Sequence, residues 1–259
     1  MPQLRVVGLI PAKGHSEGVP YKNMRLLYGR PLIWYTIQAA LAANLDAIYV
    51  STDDPKIALF ARSQDTRVGT IGRPKDLARG EDGSMIRTVQ HAVEKKGLDE
   101  YDALMLLQPT TPLRTVEQIN EAIELLKEDD NGDSTVGFVS VEGNHPARMR
   151  VSGRDGYMHH LEGWTESPGQ SRQVLDPVFI RSGSIYLTRL QTLLSGSFEG
   201  DHCIPLIIDE SKHCNIDTEA DFARAEHMIA EREGKILKGE FACRGTRYTR
   251  SIQSHEMTS

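Results

Sequence analysis

The chain has 259 residues, a formal net charge of −6, 39% hydrophobic residues and 25% charged ones. This is the composition of an ordinary folded globular chain, and its acidic balance speaks against a general nucleic-acid binder, whose footprint is a basic surface. No apolar run nears the roughly 20 residues that span a bilayer. No basic-then-apolar leader opens the sequence. Cys203, Cys214 and Cys243 lack a C-x-x-C spacing, which disfavours a disulfide framework or zinc site and fits a reducing cytoplasm.

The apolar run at 6–10 predicts a buried parallel strand. It empties at once into a loop with Gly14, Gly18, Lys13, His15, Ser16, Lys22 and Asn23. Pro31 opens a predicted helix over about 31–43, and a strand follows at 47–51. Asp54-Pro55 reads as an N-cap and first helical residue. A short strand near 67–70 leads to Gly72-Arg73-Pro74 and a loop at 79–83, and Ser84 is placed as the cap of the next helix. Residues 103–107 form a strand ending in Gln108-Pro109-Thr110-Thr111-Pro112-Leu113-Arg114, before a helix with Val116, Ile119, Ile123 and Leu126 at helical spacing. Strands alternating with helices predict a three-layer, mostly parallel α/β/α sheet of the Rossmann-like kind. The polar loops after the strands are expected to share the carboxyl rim, where such sheets bind ligands.

Between 142 and 178 the pattern breaks into short pieces with few core residues, an insertion, arm or dimerisation element rather than sheet. Strand character resumes at 178–180 and 184–187, and again at 204–208. Thr218, with Asp221 three residues on, predicts the N-cap of a last helix buried through Phe222, Ala225 and Ile229. The domain therefore runs over 1–238. The tail at 239–259, with Arg244, Arg247 and Arg250, lacks periodicity and is expected to be mobile, with a contact to a partner as the other option.

Several residues carry candidate chemistry. The loop after the first strand offers glycines for close backbone approach and lysines for charge, the means by which α/β proteins hold polyphosphates; a plain surface turn is the alternative. It is neither a Walker A nor a G-x-G-x-x-G loop. Asn215 and Asp217, two apart in an extended segment, share one face and turn Ile216 towards the core. Asp217 on the rim suits Mg²⁺, and helix capping is the competing reading. Gln108 and Arg114 suit an acidic small molecule or, alternatively, a rigid turn. Arg172 and Arg181 are open between anion binding and solvated surface. His145 before Pro146 reads as structural, and Met149 and Met158 as packing or interface residues.

Residues 10–23 resemble the first signature of the acylneuraminate cytidylyltransferases, the CMP-sialic acid synthetase-like nucleotidyltransferases. Val50-Ser-Thr-Asp53, Arg73-Pro74, residues 106–114, residues 179–187 and Asn215-Ile-Asp-Thr218 match further signatures in order, so the resemblance covers about 4–232. It implies a CTP site in which Ala12, Lys13, Ser16 and Lys22 face the nucleotide phosphates and Asn23 lies near the ribose. Arg73 and the loop ending at Ser84 would read the cytosine. Gln108, Thr110, Thr111, Arg172, Phe179 and Arg181 would lie on the acceptor side, and Asp217 with Asn215 would bind Mg²⁺. Lys13, Lys22 and Asp217 are the implied catalytic groups. The resemblance also implies a homodimer joined through the 142–178 arm. The implied reaction moves CMP from CTP to an acidic acceptor such as the anomeric hydroxyl of a sialic-, legionaminic- or pseudaminic-like acid, with release of pyrophosphate. A phosphonate or Kdo-like acceptor, GTP as donor, and a nucleotide-binding regulatory module are the alternatives.

The chain departs from the pattern at four places. Lys13 stands where many members have Arg, and Glu17 stands where Lys is common. Asn215 replaces the first Asp of Asp-x-Asp. The arginine at 181 comes one place later than in the sialate enzymes, which in extended backbone points it to the opposite face.

Overall fold

The computed structural model describes residues 4–16, 18–79, 85–141, 144–164 and 175–234. Seven strands form the central sheet: β1 (Val6–Pro11), β4 (Ala47–Thr52), β5 (Val68–Gly72), β6 (Ala103–Leu106), β7 (Ser134–Ser140), β10 (Phe179–Arg189) and β11 (Cys203–Ile207). Two hairpins stand apart, β2 (Leu26–Leu27) with β3 (Arg30–Pro31), and β8 (Arg150–Ser152) with β9 (Met158–His160). The sheet order is β11-β7-β10-β6-β1-β4-β5. β1 pairs in parallel with β4 and β6, β4 with β5, and β11 with β7, while β10 runs antiparallel between β6 and β7.

Every residue of β1 and β6 is buried, because helices cover both faces of the sheet. On one face, α1 (Leu32–Ala42), α2 (Pro55–Gln64) and α5 (Val116–Glu128) pack Ile33, Ile37, Ile57, Ile119 and Ile123 against Ile10, Val50, Met105 and Leu187. On the other, α4 (Met85–Lys96) and α6 (Leu190–Leu194) bring Val89, Val93 and Leu193 onto Val7, Leu9, Leu104 and Leu106. The short α3 (Lys75–Arg79) follows β5. The last helix, α7 (Glu219–Arg232), buries Phe222, Ala225 and Ile229 on Val19, Leu27, Leu32, Leu113 and Ile216. This third cluster fastens the loop after β1 and the loop after β6 to the segment that leads into α7.

Local chemistry accounts for the helix starts. Asp54 accepts from the Lys56 N–H at 2.7 Å, and Pro55 takes the first helical position. Thr115 with Gln118, and Thr218 with Asp221, each close a capping box.

Three features differ from the sequence reading. The strand β7 was not anticipated. At its Gly137 a Cβ would lie 2.7 Å from Ser182 Oγ and 2.9 Å from Ile208, so glycine permits close strand approach. The two strand segments expected at 178–180 and 184–187 are one strand, with its register shifting between Arg181 and Tyr186. The region at 142–178 holds the small β8–β9 hairpin outside the main sheet, with both strands exposed; residues 142–143 and 165–174 of that arm lie outside the described residues, as does the tail beyond 234.

Candidate active site

The loop after β1 is pinned at both ends. The Ala12 N–H donates to Ser51 O at 2.9 Å. The Gly14 N–H donates to Asp53 Oδ1 at 2.9 Å, and Asn23 Nδ2 donates to Lys13 O at 2.8 Å. Ser16 and Asn23 are buried, while Lys13 is partly exposed. Gly18 rests against the far side of the site: a Cβ there would lie 2.2 Å from Asp217 O, a distance no side chain tolerates.

Lys22 opens a short turn, Lys22–Met24, and crosses to the segment before α7. Its Nζ donates to Ile216 O at 2.6 Å and lies 3.4 Å from Asp217 Oδ1. Asn215 Nδ2 donates to Asp217 Oδ2 at 2.7 Å. Cys214 and Ile216 are buried while Asn215 and Asp217 are exposed, the alternation of an extended segment. The Ile216 N–H donates to Thr110 O at 2.8 Å, so the same segment is also bonded to the loop after β6.

Gln108 and Thr111 face Gly183 of β10. A Cβ on Gly183 would lie 3.2 Å from Gln108 Oε1 and 3.9 Å from Asn215 Oδ1 and from Thr111. The backbone of Gly183 has φ +74°, which glycine adopts freely. The bend therefore lets β10 pass close to both polar loops.

Among the described residues two arginines are buried. Arg73 donates from Nη2 to Ser51 O at 2.7 Å and from Nε to Ser51 Oγ at 3.3 Å. Burial lowers its pKa to about 10, against an opposing pull from Asp53. Arg114 donates to Ser184 O through Nε, to Thr36 Oγ1 at 3.1 Å through Nη1, and to Gln108 O at 2.7 Å and Thr111 Oγ1 at 2.6 Å through Nη2. Burial lowers its pKa to about 9. With four donors committed to protein oxygens, Arg114 is a brace for the 108–114 turn and is not presented to a ligand.

The remaining candidates are dispersed. Phe179 and Arg181 are exposed at the start of β10, and Arg181 Nη1 donates to Glu199 Oε1 at 2.9 Å in the segment after α6. His145 is buried and accepts from the Ala147 N–H through Nδ1, which leaves Nε2 to donate to Asp176 O at 2.9 Å. Both ring nitrogens are engaged, in keeping with a structural role. Ser84, Arg172 and Glu17 lie outside the described residues. Sequence reasoning gave no role to Asp53 or Gly183, although Asp53 sits inside one of the quoted motifs and a glycine within a strand is itself a signal of close approach.

The oxygens at Asp217 are its carboxylate and the Ile216 carbonyl, donors that suit a hard divalent cation, while Asn215 turns its Nδ2 to the carboxylate. The ammonium of Lys22 already lies against two of these oxygens, so the position favours positive charge. Among the described residues no group of three or more His, Cys, Asp or Glu is placed to hold a metal ion. A cation here would complete its shell with phosphate oxygens and water.

A mostly parallel three-layer sheet, with a pinned lysine-bearing loop after its first strand and an Asp on the same rim, defines a protein of the nucleotidyltransferase type. The cytidylyltransferase family model matches residues 7–157, and the chain belongs to that family. It is 32% identical over 231 residues to the CMP-N,N'-diacetyllegionaminic acid synthase of Legionella pneumophila, covering 87% of this chain and 97% of the relative. It is 28% identical over 250 residues to the N-acylneuraminate cytidylyltransferase of Streptococcus agalactiae, covering 92% of this chain but 58% of that longer relative. Among solved structures, CMP:2-keto-3-deoxy-manno-octonic acid synthetase complexed with CTP superposes with TM-score 0.64 at 16% identity, over 88% of this chain and 99% of that one. The 4-diphosphocytidyl-2C-methyl-D-erythritol synthase from Anaerococcus prevotii gives TM-score 0.62 at 10% identity, over 88% and 99%. At these identities the two structures speak to the fold.

Proposed function

We propose that the chain transfers CMP from CTP to the anomeric hydroxyl of a nonulosonic acid of the sialic or legionaminic kind, releasing pyrophosphate. The observation that carries this reading is the meeting of Lys22 and Asp217 at 3.4 Å, on a segment that is itself bonded to the Gln108–Thr111 loop. In this reading the lysine serves as phosphate-binding charge, the aspartate as a cation ligand and the loop as polar acceptor contacts. The identity to the Legionella enzyme, which spans nearly the whole of both chains, supports the acceptor class.

In this reading the acceptor hydroxyl oxygen bonds to the α-phosphorus, its proton passing to solvent, as the bond to the β-phosphate oxygen breaks and pyrophosphate leaves. Such displacements depend on positioning and charge neutralisation rather than covalent catalysis. Lys13 and Lys22 hold the triphosphate, aided by the N–H groups of the loop after β1. Ala12, Ser16 and Asn23 shape that loop, while Arg73 and Ser84 serve the base. Gln108, Thr110 and Thr111 orient the acceptor, with Arg172, Phe179 and Arg181 on its outer side. Asp217 and Asn215 hold Mg²⁺, which when bound supplies neutralisation of charge on the phosphates. The exposed Met149, Val151, Tyr157 and Met158 on and beside the β8–β9 hairpin suit contact with a second copy of the chain. Among the described residues no helix is long and apolar enough to cross a membrane.

The test is product identification. The chain is incubated with Mg²⁺, one of CTP, GTP, ATP or UTP, and each of a panel of sialic, legionaminic, pseudaminic and Kdo acids and phosphonates. Mass spectrometry should find a CMP conjugate of a nonulosonic acid, formed from CTP alone. A GMP conjugate, or a conjugate of a phosphonate only, would replace the reading. Nucleotide binding with no conjugate from any acceptor would identify a binding module.

A further inference from the structure

Both oxygens of the Asp217 carboxylate are occupied by donors of the chain itself. Oδ2 accepts from Asn215 Nδ2 at 2.7 Å, and Oδ1 lies 3.4 Å from the Lys22 ammonium. Asp217 is 66% exposed at its side chain, yet its lysine partner is only 12% exposed. The ammonium is held further by Ile216 O at 2.6 Å, so it sits among the oxygens that a cation would use.

We propose that Lys22 is the resting counter-ion of Asp217 and keeps free divalent cations out of this seat until a nucleoside triphosphate draws the ammonium away. This rests on the reading of Asp217 as the metal ligand. A divalent cation bound at Oδ1 in the empty chain meets an ammonium at contact distance, in surroundings where unit charges interact more strongly than in bulk water. A triphosphate carries several negative charges against the single one of Asp217, and so it wins the competition for Lys22. Once the ammonium has turned to the phosphates, Asp217 faces them as an unpaired anion. A divalent cation between carboxylate and phosphate then removes that repulsion. Metal and triphosphate consequently bind with positive coupling, and either one alone binds poorly.

The chain can make this exchange without moving its backbone. Lys22 lies in the Lys22–Met24 turn, and the neighbouring Asn23 is fixed to Lys13 O. The lysine stem is flexible enough to carry its ammonium between the two partners. Asn215 contributes by being neutral. A second carboxylate at that position would hold the ammonium more firmly and would also attract a free cation, whereas the amide steadies Oδ2 without adding charge.

The experiment measures binding of Mn²⁺, as the magnetic stand-in for Mg²⁺, by electron paramagnetic resonance, with and without a non-hydrolysable CTP analogue. Wild-type protein should bind Mn²⁺ alone only in the millimolar range. Lys22→Met should bind Mn²⁺ alone about tenfold more tightly or better, and Lys22→Arg, which keeps the charge, should behave as wild type. Equal Mn²⁺ affinity in Lys22→Met and wild type overturns the proposal. So does micromolar binding to wild type that Asp217→Ala abolishes, a result that does not depend on whether the Lys22 variants fold. If Asp217→Ala leaves Mn²⁺ binding unchanged even with the analogue present, the metal assignment fails as well. If that variant loses binding while Lys22→Met gains nothing, only the counter-ion role fails.

Discussion

Replacing Arg114 by alanine tests whether the turn after β6 is braced from within. The guanidinium serves four acceptors: the carbonyls of Gln108 and Ser184 and the hydroxyls of Thr36 and Thr111. The hydroxyls can rotate to other partners and Gln108 O keeps the N–H and hydroxyl of Thr111, so the Ser184 carbonyl is the acceptor left exposed to the loss. A buried unsatisfied polar group costs about 1–3 kcal/mol, and that is the cost for the Ser184 carbonyl. Part of this is returned, because a charge buried without a carboxylate partner is removed and water can enter the space left behind. A net loss of about 1–2 kcal/mol follows, read from urea unfolding followed by circular dichroism. Arg114→Lys should recover less than half of it, since a point charge cannot reach acceptors on three elements at once. Burial lowers the Arg114 pKa from its ordinary value to about 9. The folded state thus gives up this proton before the unfolded chain does. Stability from this group rises with pH only between those two values, and the loss should be the same at pH 6 and pH 8. An Arg114→Ala protein within about 0.5 kcal/mol of wild type, but with a raised KM for the acceptor, would refute the brace and make Arg114 a ligand-binding residue.

The other predictions concern close approach, capping and association. Gly18→Ala drives a Cβ against Asp217 O; it should cost about 1–3 kcal/mol and weaken CTP binding in calorimetry, and unchanged affinity would show that the two segments separate freely. The Asp221 carboxyl is held below its usual 3.8, chiefly by the Thr218 hydroxyl and then by the N–H groups of Thr218 and Asp217. Its contribution is therefore complete above about pH 4 and is lost as pH falls through the folded value. Thr218→Ala should cost about 1 kcal/mol at pH 7, and Asp221→Asn should flatten the stability curve below pH 4; an unchanged acid limb in Asp221→Asn would contradict this. Met158→Glu places a charge on the exposed hairpin and should convert a dimer into a monomer in light scattering, and persistence of the dimer would move the interface elsewhere.

Where short-range chemistry decides a structure, the sequence was legible. Asp54-Pro55 and Thr218 with Asp221 start helices where their side chains reach the next free N–H groups, and Ile216 turns inward while its neighbours turn out. The mostly parallel sheet followed from apolar runs alternating with helical spacing. Contacts between distant segments were not legible. The need for glycine at 137 lies in Ser182 and Ile208, more than forty residues away. The same distance hid β7 and the continuity of β10, whose middle is bent at Gly183 to clear Gln108. Arg114 could be read as a ligand contact or as part of a turn, and only burial among four acceptors decides for the turn. At the site, Lys22 and Asp217 are 195 residues apart; residue types suggested each of them singly, and the fold supplies their contact.

The most direct measurement of the central claim is pyrophosphate release at saturating CTP and Mg²⁺ with the best nonulosonic acid acceptor, in wild type and Asp217→Ala side by side. The account predicts acceptor-dependent release in wild type, and a fall of about a hundredfold or more in the variant at an unchanged melting temperature. Equal release from both proteins, or faster release from GTP than from CTP, would contradict it.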